Sequence, residues 1–303
     1  MNSVLNKAKK IIFDENYRFL ILSNLGFYNH IPDEIYLKKE FKASLNFELN
    51  LDNPTTYNEK IQWLKLNDRK PIYTTMVDKY KVREYIKQKI GENYLIPLLG
   101  VWDDVNDIEF NNLPEKFVLK CNHNSGLGMF VCTDKSKMQI NKVKRDLKKG
   151  LKENYYYKHR EWPYKNVDPK IICEEFIGEN DRTPDDYKFL VINGEIYTIL
   201  VCKDRDREKV KFYYFDADWN RMYCQRKEPA EEYVIEKPDN YDEMVSIVKK
   251  LSEGFSTIRV DLYNVSGKIY FSELTFYDSS GFDTDITYNE DCKRGLLLKL
   301  PIQ

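Results

Sequence analysis

Apolar positions at three- and four-residue spacing dominate the first third of the chain, and short apolar runs between polar turns dominate the rest. In residues 2–25 the mixed three- and four-residue spacing predicts a helix, followed by a second helix led by Pro32 and running to about Phe41. Thr56-Tyr57-Asn58-Glu59 has the form of a capping box. Its hydroxyl and carboxylate satisfy free N–H groups at the start of a helix carrying Ile61, Trp63 and Leu64. After Pro71 the spacing predicts one helix from about Tyr73 to Ile90, stopped by Gly91, with Asp78 and Lys79 on its first turns. Tyr94 to Pro97 begins an extended segment. Ile140 to Asn154 predicts a basic amphipathic helix whose lysines read as a solvated face, and Asn240 to Gly254 predicts another helix ending on glycine.

The strand signals come in pairs. Phe117 to Lys120 and Met129 to Cys132 flank a polar loop with two glycines, and Lys170 to Ile177 is a buried-type run with two acids near its end, closed by Gly178. Asp186 to Ile192 and Glu195 to Val201 flank Asn193-Gly194, a type I′ turn signal, and Thr257 to Leu262 and Lys268 to Leu274 flank Ser266-Gly267.

Charge narrows the partners. With 48 basic and 49 acidic residues among 303, no global field favours nucleic acid or an anionic membrane, so any anion site must be local. The six cysteines show no C-x-x-C spacing and mostly sit in apolar runs, which fits reduced thiols in a cytoplasmic protein. Asp14, Glu15 and Arg18 interrupt the N-terminal apolar pieces, so neither a signal peptide nor a membrane span is expected.

Four stretches carry candidate chemistry. In Phe117 to Cys132, Gly126 and Gly128 permit positive φ and close approach of N–H groups to an anion, and Lys120 adds a fixed charge; the stretch reads as a phosphate lid or as an ordinary hairpin with a solvated lysine. In 155–164, aromatic residues interleave with Lys158, His159, Arg160 and Glu161; they either line an acceptor groove or tuck against the core. At the end of the third, Glu174 or Glu175 can accept from an adenine amino group, with backbone near Phe176 and Ile177 reading the ring edge. In the last hairpin Arg259 and Asp261 share one face, Glu273 and Thr275 share another, and the two faces can coincide. Two carboxylates and a hydroxyl there suit Mg²⁺, and Arg259 beside them can neutralise a transferred phosphoryl group; a solvated polar face is the alternative.

The order of these features, with D-K-Y-K-V-R-E-Y at 78–85, E-W-P-Y-K at 161–165, C-E-E-F-I at 173–177, D-Y-K-F at 186–189, R-V-D-L-Y at 259–263 and S-E-L-T-F at 272–276, resembles the ATP-grasp superfamily, specifically its teichuronopeptide-biosynthesis, TupA-like branch, over about Asn53 to Phe282. The resemblance implies an ATP-grasp fold in which two α+β subdomains hold the nucleotide, with a helical N-terminal region at 1–70, the start of the core at 71–115, a lid subdomain at 116–178 and a metal-bearing C-terminal subdomain at 179–303. It implies Lys79 and Lys120 as phosphate lysines, Asn124, Ser125, Gly126 and Gly128 in a mobile lid, and Glu174 or Glu175 with Phe176 and Ile177 at the adenine. Asp186 then meets the ribose, Lys188 and Arg259 act catalytically, and Asp261, Glu273 and Thr275 hold Mg²⁺. Thr275 departs from the E-x-N ending of many such enzymes, implying altered geometry or one more water. The implied reaction is ATP-dependent joining of a carboxylate to an amine through an acyl phosphate. The polysaccharide context points to a uronic acid and an amino acid, with peripheral association to polysaccharide assembly. A sugar kinase shares the nucleotide half. A glycosyltransferase would use D-x-D, which occurs at 204–206, 216–218 and 283–285 and so discriminates little. A non-catalytic nucleotide-binding protein is the third alternative.

Overall fold

The computed structural model describes residues 10–203, 210–229 and 234–301. Residues 2–9 of the first expected helix, and Asp204-Arg205-Asp206 in the charged loop expected between Lys203 and Lys211, lie outside them. In the N-terminal part, α1 (Glu15–Asn24) starts on an Asp14 cap and α2 (Asp33–Leu45) follows Pro32 as expected. The capping box is complete: the Thr56 hydroxyl accepts from Glu59 N at 3.2 Å, and Glu59 Oε2 accepts from Thr56 N at 3.0 Å, opening α3 (Tyr57–Asn67).

The single helix expected over 73–90 is two, α4 (Ile72–Val77) and α5 (Val82–Lys89). The Asp78 carboxylate accepts from the N–H groups of Tyr80 and Lys81 and from Asn122 Nδ2, so a new helix starts where the spacing continues unbroken. Lys79 therefore sits in a break rather than on a helical turn.

Two sheets follow. The smaller has the order β1-β4-β2-β3 from β1 (Leu98–Trp102), β2 (Phe117–Cys121), β3 (Phe130–Cys132) and β4 (Ile171–Glu175), all antiparallel. Phe117, Leu119, Ile171 and Cys173 point to a core under α6 (Ile140–Lys152), leaving Lys120 and Glu174 on the opposite face. β1 belongs to this sheet, so the expected boundary between 115 and 116 separates an edge strand from the sheet it joins. The aromatic stretch forms α7 (Tyr156–His159) and a 3₁₀ turn.

The larger sheet has the order β10-β9-β5-β6-β7-β8 from β5 (Asp186–Ile192), β6 (Glu195–Lys203), β7 (Lys211–Phe215), β8 (Arg221–Met222), β9 (Thr257–Val265) and β10 (Lys268–Thr275). Asn193-Gly194 and Ser266-Gly267 have positive φ at both residues, as tight turns between antiparallel strands require. Phe189, Val191, Ile199, Val260 and Leu262 bury one face in the main core, to which α8 (Tyr241–Leu251) contributes Met244, Ile247, Val248 and Leu251. α3 packs against the last helix, α9 (Tyr288–Leu297): Asn58 donates twice to Asp291, and Lys60 Nζ donates to the carbonyls of Gly295 and Leu298. The N-terminal region is thereby tied to the C-terminal one.

Candidate nucleotide and metal site

The site begins with register. Lys188 on β5 pairs with Asp261 on β9, and Asp261 pairs with Glu273 on β10, so three charged side chains form one row across three strands. A plain count from the Ser266-Gly267 turn would set Ser272 opposite Asp261 and send Glu273 to the core face. A bulge between Phe271 and Glu273 takes up Ser272 and restores the row, placing Thr275 opposite Arg259. The two faces coincide because of that one extra residue.

Arg259 holds the row together. Its Nε and Nη2 meet the two oxygens of Asp261 at 2.7 and 2.8 Å, Nη2 lies 3.3 Å from Glu273, and Nη1 donates to Asp278 at 2.8 Å. Of its five N–H groups, one on Nη1 remains for a further acceptor. Lys188 Nζ donates to Asp261 Oδ2, the oxygen that Arg259 Nη2 also meets. Burial alone would raise the Asp261 carboxyl, but Arg259 and then Lys188 outweigh it and hold it down at about 2. Burial pulls Lys188 down while Asp261 raises it, and the ion pair wins.

The smaller sheet supplies the facing cations. Lys120 Nζ lies 2.6 Å from Glu174 Oε2, and Arg83 Nη1 lies 3.3 Å from Glu174 Oε1. Lys79 joins the halves, since its Nζ donates to the carbonyl of Asn124 at 2.8 Å and lies 3.8 Å from Glu273. Burial lowers the Lys79 ammonium and Glu273 partly restores it.

The lid differs from the expected one. Asn124 is buried, with Nδ2 donating to the Gly150 carbonyl, and Gly128 packs against Gly150, where an added Cβ would come within 3.1 Å of the Gly150 Cα. The exposed tip is Ser125 to Leu127, with Gly126 at φ +83 in open space, the Ser125 hydroxyl meeting Tyr155 and the Leu127 carbonyl lying against Gly150. His123 is buried between Asn122 and the Glu153 carbonyl, and burial lowers its imidazole, so it is a structural residue of the lid root.

Other expected residues are placed less simply. Glu174 is engaged by Lys120 and Arg83 rather than open toward an adenine; Glu175 is exposed, and Phe176 and Ile177 lie half-buried in the connection between the sheets. Asp186, on the working face of β5, is fully buried, 4.0 Å from Lys188 Nζ. Of the two readings of 155–164, the packed one is seen: the Arg160 guanidinium stacks on the rings of Tyr36 and Tyr156 in the core, and Tyr155 and Tyr164 lie half-buried within the electrostatic reach of Glu161 and Glu273. Asp278, Arg83 and Asn122 had no expected role. Arg83 lies within the 78–85 motif, whereas nothing about Asp278 in the sequence distinguishes it from other loop acids.

The row leaves one carboxylate open to a hard cation. Both oxygens of Asp261 are taken by Arg259 and Lys188, so it would exchange those partners to meet an ion, whereas Glu273, at 32% side-chain exposure, is held only at 3.3 and 3.8 Å by its cations, with the Thr275 hydroxyl next along the strand. Among the described residues no three His, Cys, Asp or Glu come together as a metal cluster, so an ion would take few protein oxygens and complete its shell with water and phosphate, as Mg²⁺ does. The two described D-x-D segments are turns: Asp216 accepts from Asp218 N and Asn220 N, and Asp283 from Asp285 N.

The model of the TupA-like ATP-grasp family matches residues 59–299. No curated protein matches the sequence. Similar solved structures include D-alanine-D-alanine ligase from Helicobacter pylori, 14% identical over 80% of this chain and 69% of that one with a TM-score of 0.44. Others are D-alanine-D-alanine ligase from Bacillus anthracis complexed with ATP (14%, covering 74% and 62%, TM-score 0.43) and L-amino acid ligase from Bacillus licheniformis (15%, covering 89% and 57%, TM-score 0.43). The chain spans less than two thirds of the latter two.

Proposed function

This chain belongs to the TupA-like ATP-grasp family, and we propose that it is an ATP-dependent ligase joining a carboxylate to an amine, the pair being a uronic acid of a surface polysaccharide or its precursor and an amino acid. The observation that carries this reading is the row Lys188-Asp261-Glu273 with Arg259 beside it, faced by Lys79 and Lys120. Cations on both sides of a pair of hard oxygens supply the charges that a nucleotide triphosphate with its metal requires.

In this reading Lys79 and Lys120 bind the phosphates, and closure of the Ser125 to Leu127 tip excludes water. Asp261 and Glu273, with Thr275 adjacent, hold Mg²⁺, which supplies neutralising charge to the phosphates. The carboxylate oxygen attacks the γ-phosphorus, ADP leaves, the amine then attacks the acyl carbon, and inorganic phosphate leaves with loss of one proton from nitrogen. The free Nη1 hydrogen of Arg259 stabilises charge on the transferred group. No side-chain nucleophile is needed, and the thiols that burial raises, such as Cys121, are inert in such chemistry.

A panel of uronates crossed with amino acids, read as ADP formation, tests the reading. It predicts ADP and phosphate only when both substrates are present. A phosphorylated sugar without phosphate release would instead make this a kinase, and consumption of a nucleotide-sugar a glycosyltransferase.

A further inference from the structure

The helix α6 carries six cations, Lys142, Lys144, Arg145, Lys148, Lys149 and Lys152, and one acid, Asp146, a local charge of +5 in a chain of formal net charge −1. Other helices of this protein set opposite charges one turn apart, as in Glu34–Lys38 at 2.6 Å and Glu290–Arg294 at 3.0 Å. On α6 one pair one turn apart is opposite in sign, Lys142 with Asp146, but three repeat the same sign: Lys144 with Lys148, Arg145 with Lys149, and Lys148 with Lys152. Like charges at this spacing destabilise a helix. A face kept uniformly positive against its own stability calls for an anionic partner.

The shape of that partner follows from the surroundings. Two shallow adjoining grooves run along the face, one lined by Asn141 and by five of the six cations, the next by Met138 to Lys142 and Arg145. Their concavity suits an extended chain. On the apolar edge of the helix Val143, Leu147 and Gly150 are buried within the protein and Ile140, at 38% exposure, reaches the surface; one exposed side chain is too small an apolar face to seat the helix in a bilayer. No aromatic ring lines either groove, which removes the stacking platform that single-stranded nucleic acid uses. The helix also touches the lid: a Cβ on Gly150 would lie 2.9 Å from the Leu127 carbonyl and 3.0 Å from the Gly128 Cα. A chain held here lies beside the lid root.

We propose that this face docks a linear acidic polysaccharide, so that the carboxylate substrate is presented as a polymer. The proposal rests on the uronate reading of the preceding subsection and deepens it. Binding of polygalacturonate to the intact protein, without nucleotide, tests it directly. Wild type is expected to bind saturably and to weaken at least tenfold between about 50 and 200 mM salt. Lys148→Glu combined with Lys149→Glu is expected to lose at least tenfold in affinity while its Tm rises by about 2 °C. Each new carboxylate then lies one turn from a cation, the one at position 149 from Arg145 and the one at position 148 from both Lys144 and Lys152, so three like-charge pairs become opposite-charge pairs. Its ADP formation with monomeric galacturonate and an amino acid is expected to match wild type. Unchanged polymer binding by the variant overturns the proposal, as does wild-type preference for phosphatidylglycerol vesicles or duplex DNA over the polyuronate. ADP formation on monomers without polymer binding sinks this inference alone, whereas polymer binding without any ADP formation sinks the ligase reading alone.

Discussion

Arg259 is useful only if its fork is fixed, and Asp278 is the residue that fixes its free end. Asp278 Oδ1 takes Nη1 at 2.8 Å, and the buried Arg294 approaches Oδ2 at 4.0 Å while bonded to Glu290. Asp278→Asn is expected to lower kcat by about 10- to 100-fold while leaving the KM for ATP within about twofold, as loss of an orienting partner does. An equal loss in ATP affinity would instead make Asp278 part of the nucleotide site. A neighbouring acid gives the pH signature. Burial and then the Asp278 carboxylate push Asp283 up to about 6. A folded pKa above the unfolded one means the folded state binds more protons between about pH 4 and 6, so this group's contribution falls as pH rises through that window. Asp283→Asn is expected to raise stability at pH 7 by about 1 kcal/mol, discounted for partial exposure, and to leave stability at pH 4 unchanged. Denaturant titration at both pH values checks it; equal effects at the two would contradict it. These charges are legible in the sequence as residue types, but which acid meets Arg259 depends on a loop that turns through left-handed Ser279, Ser280 and Gly281, for which spacing gives no rule.

Among elements, the hairpins and the capping box follow from local chemistry: Asn193-Gly194, Ser266-Gly267 and Thr56 to Glu59 each act over four residues or fewer. The features that a local pattern misses are those imposed from a distance. Asn122, just past β2, meets Asp78 and helps break the helix expected over 73–90, and the bulge at Ser272 resets β10 against β9. Deleting Ser272 leaves a plain count that sets Glu273 opposite Asp261 and is expected to retain ADP formation, whereas inserting one Ala after Ser272 sends Glu273 to the core face and is expected to abolish it; comparable rates for the two would refute the register argument. The lid makes a second ordering. Gly150→Ala drives a Cβ into Cys121 Sγ at 2.6 Å and should cost about 1–3 kcal/mol, whereas Gly126→Ala meets open space and costs only the strain of positive φ, about 1 kcal/mol. A thermal melt in which Gly126→Ala is the less stable variant would overturn this picture of a pinned root and an exposed tip.

At the scale of the molecule, the sequence conveys the ordered set of lysines, acids and glycines but not how its ends close. Asn58 and Asp291 are far apart in the chain, and no periodicity pairs them, yet they tie α3 to α9. Lys79 links the loop after β2 to β10, its ammonium donating to the Asn124 carbonyl and lying 3.8 Å from Glu273. In the proposed reading, that contact is what joins a phosphate lid and a metal hairpin, each ambiguous alone, into one site. The central claim is that this site activates a carboxylate by phosphorylating it. It is tested most directly with a uronate labelled with ¹⁸O in its carboxylate, supplied with ATP, Mg²⁺ and the amino acid partner found in the substrate panel. The account predicts one labelled oxygen in the inorganic phosphate for each amide formed; unlabelled phosphate, or label appearing in AMP, would contradict it.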